Sequence, residues 1–361
     1  MSYSPGRIPN PDLVIAVSCN PMKESIKSRH PKPDTRLPAL WLHRFAFFTS
    51  CLTFPLIFVG GLVKSHEAGL SVPDWPTTYG YNMFTFPFHW MVGNIFYEHG
   101  HRLYASLVGF FILILAIWIW RKEPRKWVRK LGWLTLLAVS VQGILGGITV
   151  KMFLPWYIST AHAALAQTTF CLTVALSMVI SKWWNDDVIK TRGDQTDRLY
   201  SLTRFTVGAI FIQLLLGAIM RHLNAGLAIP TWPLANGNIL PDFNSIGVTL
   251  NFAHRTWAFI VAILIFTTAY FAIKASKEHP SFKRPAIAGM ILVAMQITLG
   301  AITILSEKEP NWTSLHVVGG AAVLASQFIL AVRVHHLTKQ SEGIKHIPAM
   351  SSRATEGSVA I

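Results

Sequence analysis

Acidic residues are scarce in this sequence: Asp and Glu number 17 among 361 residues, and charged residues of both signs make up 14%. Soluble domains carry charge at roughly a quarter of their positions, so the ordinary globular classes are excluded. Cysteine is scarcer still. Cys19 lies in a polar N-terminal stretch, Cys51 and Cys171 fall in apolar runs, and the absence of any CxxC pair rules out a disulfide framework. The first 36 or so residues also lack an apolar signal core, because their one apolar stretch, Leu13 to Val17, is too short for a signal peptide or a spanning helix. Rich in Pro, Lys and Arg, this segment reads as a disordered cytoplasmic tail.

What the sequence has in abundance is apolar residues, 52% of the chain, which points to a bilayer as solvent. A net charge of +15 would suit nucleic acid only if Lys and Arg shared one exposed face, but they stand between apolar runs, so no nucleic-acid partner is expected. Eight windows approach the roughly 20 apolar residues of a spanning helix: about 41–63, 99–120, 131–150, 159–181, 205–222, 252–273, 285–305 and 313–334. Arg121, Lys122, Arg125, Lys126, Arg129 and Lys130 crowd the second connection, and the tail, the fourth, the sixth and the C-terminal segments are similarly basic. The alternate connections carry only Lys64, Lys151, Arg221 and Lys308, so both termini are expected in the cytoplasm and the chain is expected as a multi-pass protein of the cell (inner) membrane. Two long outer loops remain, about 64–98 and 223–251. The first holds Trp75, Tyr79, Tyr81, Phe84, Phe86, Phe88 and Trp90, which suit either an interfacial aromatic belt or a lid over a hydrophobic ligand.

The loops belong to a repeat. Ala68-Gly69-Leu70-Ser71-Val72-Pro73-Asp74-Trp75-Pro76 is answered 157 residues later by Ala225-Gly226-Leu227-Ala228-Ile229-Pro230-Thr231-Trp232-Pro233. Glu98-His99-Gly100-His101-Arg102 is answered by Asn251-Phe252-Ala253-His254-Arg255, Gln142–Thr149 by Gln296–Thr303, and His162 by His316. The expected fold is therefore all-α integral membrane, with eight transmembrane helices as two pseudo-symmetric four-helix bundles about an axis along the membrane normal. The domain reading is a basic tail at 1–40, a first bundle at 41–182, a cytoplasmic linker at 183–204, a second bundle at 205–336 and a tail at 337–361. Odd-numbered helices end in Gly60-Gly61, Gly146-Gly147, Gly217-Ala218 and Gly300-Ala301, small residues that let helices approach closely in lipid.

Most of the 14 histidines lie in basic inner segments or at loop ends, where solvation or the interface suffices. His101, His162, His254 and His316 differ, because each lies near the outer start of an even-numbered helix and all four share one depth. An intramembrane imidazole is costly and seeks a partner or cavity. Four convergent ligands, usually with Cys, would suit zinc, whereas two facing histidines per bundle suit the axial positions of a haem. The pairs are His101 with His162, and His254 with His316. Glu98 breaks the repeat, standing where the second half has Asn251, and shares a helix face with His101. It is either a proton-handling group beside a haem or an N-terminal helix charge. Arg102, Arg255, Lys64 and Arg221 are candidate contacts for haem propionates, or for lipid headgroups.

These residues resemble the haem A synthase family over about 41–336, through Gly60-Gly61-Leu62-Val63, Ala68-Gly69-Leu70-Ser71, Asp74-Trp75-Pro76, Glu98-His99-Gly100-His101-Arg102, His162, Ala225-Gly226-Leu227, His254-Arg255 and His316. The resemblance implies an enzyme of cytochrome oxidase biogenesis that oxidises the C8 methyl of haem O to a formyl group. It places substrate haem O at His101 and His162 with Glu98 as the catalytic acidic residue, and a resident iron-containing haem b at His254 and His316. It also implies haem O synthase and an electron donor as partners. Many relatives carry a cysteine pair in one or both outer loops; residues 64–98 and 223–251 here have none, so a thiol or disulfide step proposed for those relatives does not carry over to this chain from the resemblance. Two rival readings are a bis-histidine electron-transfer cytochrome b and a non-enzymatic haem transporter or assembly factor.

Overall fold

The computed structural model describes Met1 and residues 36–185 and 194–345. Most of the expected 1–40 tail, the middle of the 183–204 linker and the end of the 337–361 tail lie outside the described residues.

Eight long helices carry the fold: α1 Arg36–Ser65, α2 Asn94–Lys122, α3 Lys126–Lys151, α4 Trp156–Ile180, α5 Asp194–His222, α6 Ile246–Ala275, α7 Lys283–Leu305 and α8 Pro310–Lys345. All eight contain a stretch long and apolar enough to cross a membrane, and no strand occurs among the described residues. The chain is an all-α, multi-pass membrane protein. Leu137, Phe259, Phe266 and Ile263 point outward although no protein covers them, which is stable where the solvent is hydrocarbon and every backbone polar group is satisfied within its own helix. Helices overrun the apolar windows, α5 starting at Asp194 rather than 205 and α8 reaching Lys345. Hydropathy marks the part a bilayer would cover, while helical hydrogen bonding continues through polar residues of good propensity.

Buried side chains pack at one end of the bundle and, through Ile210, Ile265, Val293 and Leu324, midway along it. Leu42, Ala46, Leu115, Ile119, Val128, Leu176 and Val179 join α1 to α4 at that end, and Leu199, Ala272, Phe282, Ala286, Leu330 and Val334 do the same for α5 to α8. Phe170 and Val174 of α4 meet Ala321 of α8, with Phe54 and Ile57 of α1 against them, and so join the two sets. The other end, where the even-numbered helices begin, stays open.

Short turns join consecutive helices at that end. After α3 the Leu154 amide donates to Thr149 O, and after α7 the Lys308 amide donates to Thr303 O, both at 2.8 Å. Phe153, Leu154, Glu307 and Lys308 all have positive φ, the left-handed closure that ends a helix abruptly and starts the next within a few residues. The two long loops share a tighter turn. Tyr79 and its repeat partner Asn236 have positive φ, as do Gly80 and Gly237, and isolated bridges pair Thr78 with Tyr81 and Ala235 with Asn238. Asp74 takes the amides of Tyr79 and Gly80 on its two carboxylate oxygens, at 2.8 and 3.0 Å; in the second loop Thr231 Oγ1 takes the Asn236 amide at 2.7 Å.

Burial raises the Asp74 carboxyl, but the Gly80 amide, the Thr77 hydroxyl and the Tyr79 amide pull it further the other way, to about 2. Its hold on the loop is therefore complete above the ordinary value of 3.8 and is lost as pH falls through about 2. Asp74→Asn is expected to speed hydrogen exchange at Tyr79 and Gly80 at neutral pH, and the difference from wild type should shrink in acid as the native carboxyl protonates. Equal exchange at neutral pH would contradict this role.

Candidate functional site

The open end encloses one connected cavity of about 2110 Å³, more than twice the roughly 1,000 Å³ upper range for a small-ligand pocket. His101, His162, His254 and His316 all line it. The α-helical rise places each near the same height, because each lies two turns or so into its helix from the open end.

What seats the four rings is glycine. A Cβ on Gly60 of α1 would stand 3.1 Å from His101 Cε1, on Gly146 of α3 3.0 Å from His162 Cε1, on Gly217 of α5 2.9 Å from His254 Cε1, and on Gly300 of α7 3.0 Å from His316 Cε1. Each imidazole rests on bare backbone of the helix before it. The second glycine of two pairs does something else: a Cβ on Gly61 would crowd Ser314 of α8 at 3.2 Å, and one on Gly147 would enter the Trp75 indole at 2.4 Å. Close approach of helices therefore accounts for Gly61, while a ring occupies the space beside the others.

His254 and His316 face one another with ring centroids 6.5 Å apart and planes at 72°. Two imidazoles sharing one metal through bonds of roughly 2 Å have centroids roughly 6 Å apart, so an iron fits between them. His101 and His162 lie within electrostatic reach of one another. Among the described residues no three His, Cys, Asp or Glu side chains gather for a bare ion, whereas a haem needs only two from the protein. The buried Nδ1 atoms of His101 and His316 have no protein partner. The ring separation, the glycine seats and the size of the cavity fit a haem.

Four residues before three of the glycines stands a glutamine. Gln142 Nε2 donates to His162 O at 3.0 Å, Gln213 Nε2 to His254 O at 3.0 Å and Gln296 Nε2 to His316 O at 2.6 Å. The Nε2 atoms of Gln142 and Gln213 also lie 3.2–3.3 Å from both nitrogens of their imidazoles. Before Gly60 the same position is Leu56, which also lines the cavity.

Glu98 is 3% exposed and lines the cavity. It accepts the Val72 amide at 2.7 Å and pairs with Arg102 at 2.5 Å. Arg102 also donates to Val72 O and Asp74 O, both at 2.7 Å, and to Thr77 O at 3.2 Å. Arg255 repeats this grip on the second loop, donating to Ile229 O at 2.7 Å and Thr231 O at 2.9 Å. Asn251, in the place of Glu98, donates to Ala225 O and Gly226 O at 3.1 and 2.9 Å. Both positions fasten a loop over the cavity, one with a carboxylate and one with an amide. Arg221 and Lys64 reach across between the halves, Arg221 to Gly61 O at 2.7 Å and Ser65 Oγ at 2.8 Å, Lys64 to Asn224 Oδ1 at 3.3 Å.

The first loop carries a cluster in which Phe86 touches Tyr79, Tyr81, Trp90 and the His99 ring. Its Trp75, Pro76, Met83 and Phe84 line the cavity. His99, whose place at a helix end suggests an interfacial ring, is 1% exposed and bonds Thr78 Oγ1 through Nδ1 at 3.0 Å. Neither the glycine seats nor the glutamines follow from hydropathy. A sequence signal that links them is that Gln and Gly recur four apart in α3, α5 and α7.

Over residues 43–328 the sequence matches COX15-CtaA, described as cytochrome oxidase assembly protein. The chain belongs to this family. Similar proteins include the one named Heme A synthase of Geobacillus kaustophilus (strain HTA426), 27% identical over 72% of this chain and 82% of its own length. Another Heme A synthase, of Beijerinckia indica subsp. indica, is 27% identical over 88% of this chain and 97% of its own. A third, of Pelagibacter ubique, is 27% identical over 76% and 91%. The family match spans all four seated histidines and Glu98.

Gly217→Ala is expected to push the His254 ring and destabilise the protein by about 1–3 kcal/mol, read as a lower midpoint of thermal unfolding. Gly208→Ala, on the same helix but with nothing within 4 Å of the new Cβ, should be neutral or stabilising by up to about 1 kcal/mol. Equal effects would contradict the seat.

Proposed function

We propose that this chain is a haem A synthase, which oxidises the C8 methyl of haem O to a formyl group within a cell membrane, its termini on the cytoplasmic side and its cavity opening toward the outer face. The observation that carries this reading is the set of four imidazoles, each seated on a glycine and all lining one cavity. Basic connections at the packed end support the orientation. The contacts that recur in both halves support a pseudo-two-fold arrangement of bundles 41–182 and 205–336.

His101 and His162 would hold the substrate, haem O, and His254 and His316 a resident haem b that passes electrons. When bound, the haem would supply the iron redox chemistry for turning the methyl into a formyl group, with dioxygen as the oxidant and the donor's electrons reducing its second oxygen atom to water. The chain does the rest. The imidazole pairs would hold the macrocycle, and the glycines leave nothing between imidazole and helix that could push the imidazole away. Among the described residues Glu98 is the one carboxylate that lines the cavity beside a seated histidine on its own helix, and its Oε atoms can hold a proton near the start of α2. Arg102 keeps that group in place and ties Val72, Asp74 and Thr77 of the loop to the same helix. Asn251 offers no ionisable group, which favours the first half as the reacting half.

Trp75, Met83 and Phe84 shield the cavity from water, and Leu56, Ile57, Phe110 and Leu113 give a farnesyl tail an apolar lining. For the propionates, Lys64 has the donors to spare, making one side-chain bond. Arg102, Arg255 and Arg221 line the same cavity while each holds backbone carbonyls, so a propionate would meet them through hydrogens the loops leave free. Haem O synthase would supply the substrate, and a separate donor the electrons.

Haem extracted from the purified chain and weighed by mass spectrometry is expected to include haem b and, after supply of haem O, the hydroxylated or formylated product. Haem b alone under those conditions would contradict the activity and favour an electron carrier. Glu98→Gln is expected to keep bound haem and lose roughly 100-fold or more in turnover, while His254→Ala or His316→Ala should abolish the haem b spectrum. A full haem b signal in either histidine variant would contradict the assignment of halves.

A further inference from the structure

We infer that Gln142, Gln213 and Gln296 are positioning residues for His162, His254 and His316, each receiving the imidazole Nδ1–H on its amide oxygen when Nε2 holds iron. Leu56, at the matching place, leaves His101 as the most weakly held of the four ligands. The inference rests on the haem-binding reading above and says which ligand of the substrate yields.

The amide oxygens of all three glutamines are buried without a hydrogen-bond partner, although a buried carbonyl oxygen left so is destabilising. The histidine whose carbonyl Gln296 binds, His316, carries the complementary deficiency, a buried and unpartnered Nδ1. A neutral imidazole that gives Nε2 to a metal keeps its proton on Nδ1 and must donate it. In Gln142 and Gln213 the amide nitrogen lies 3.2–3.3 Å from both nitrogens of the ring, so a half-turn of the planar amide, which gives up its bond to the histidine carbonyl, puts the oxygen within reach of Nδ1–H once the ring turns to present Nε2 to iron. Each glutamine thus satisfies a need that arises only when the histidine binds metal.

His101 has no such neighbour. The residue four before its glycine is Leu56, and its buried Nδ1 has no protein partner. An axial imidazole whose N–H goes unaccepted is less basic and binds iron less strongly. Glu98 lies one turn away on the same helix, so the weak ligand and the carboxylate flank one face of the substrate. His101 is then the ligand that gives way there, and His162, backed by Gln142, is the one that stays.

The test uses the full-length purified chain loaded with haem b, and compares Gln213→Leu with Gln213→Glu. The leucine removes the acceptor; the glutamate keeps an oxygen and removes the N–H donors. Gln213→Leu is expected to favour ferrous over ferric haem about tenfold, a rise of about 59 mV in a one-electron midpoint, and to lose haem to a scavenging apoprotein roughly 10–100-fold faster. Gln213→Glu should keep its haem and move the midpoint downward. A glutamine that merely ties helices through His254 O predicts that both variants lose haem alike with no opposed shift, and that result would overturn the inference. In the first half, Leu56→Gln is expected to slow loss of bound haem O at least tenfold, and an unchanged rate would overturn the assignment of His101. A wild-type chain that takes up neither haem b nor haem O overturns the proposed function itself; normal uptake with no shift in either Gln213 variant overturns this inference alone.

Discussion

An imidazole resting on a stretch of helix that has no side chain is the contact on which the rest of the structure depends. Gly60, Gly146, Gly217 and Gly300 each give up a Cβ so that a histidine ring can occupy its place at about 3 Å. Glycine inside a helix costs up to about 1 kcal/mol against alanine, and four such positions at matched depth weaken the very helices that build the bundle. That cost is offset at the other end, where Leu42, Leu115, Ile119 and Leu176 on one side and Leu199, Phe282 and Leu330 on the other pack with almost no exposure. Rigidity at one end permits a wide cavity at the other.

The two halves of the duplicated site are not built alike. Arg102 and Arg255 fasten their loops through equivalent carbonyls, so the frame is common to both halves. Around His101 the halves differ in Glu98 for Asn251, Leu56 for glutamine, and a first loop long enough to bring Met83 and Phe84 over the cavity. A carboxylate, an unsupported imidazole and an apolar cover in one half suit chemistry on a lipophilic substrate. The second half, with an amide and a glutamine behind both histidines, suits a group that stays put.

Much of this was legible in the residues. Eight apolar runs gave eight helices, because a bilayer leaves the backbone little choice, and the repeat led to the four histidines. Less legible were directions across helices. The glycines were visible, yet composition reads Gly60 and Gly61 alike, and only the packed structure separates the one that meets His101 from the one that meets Ser314. Gln142 and Gln296 were visible as part of a repeated segment, but a glutamine's partner depends on which face of a neighbouring helix it meets, and no one-dimensional pattern carries that. His99 shows the same limit: its burial comes from a loop folding back to bring Thr78 and Phe86 onto it.

The central claim is that paired imidazoles grip iron from both sides within this one cavity. An experimental density map of the protein loaded with haem b and haem O tests it most directly. The account predicts a flat macrocycle between His254 and His316 and a second between His101 and His162, both at the height of the seating glycines. A map with either pair of rings turned toward lipid, or with haem held elsewhere on the chain, would contradict it.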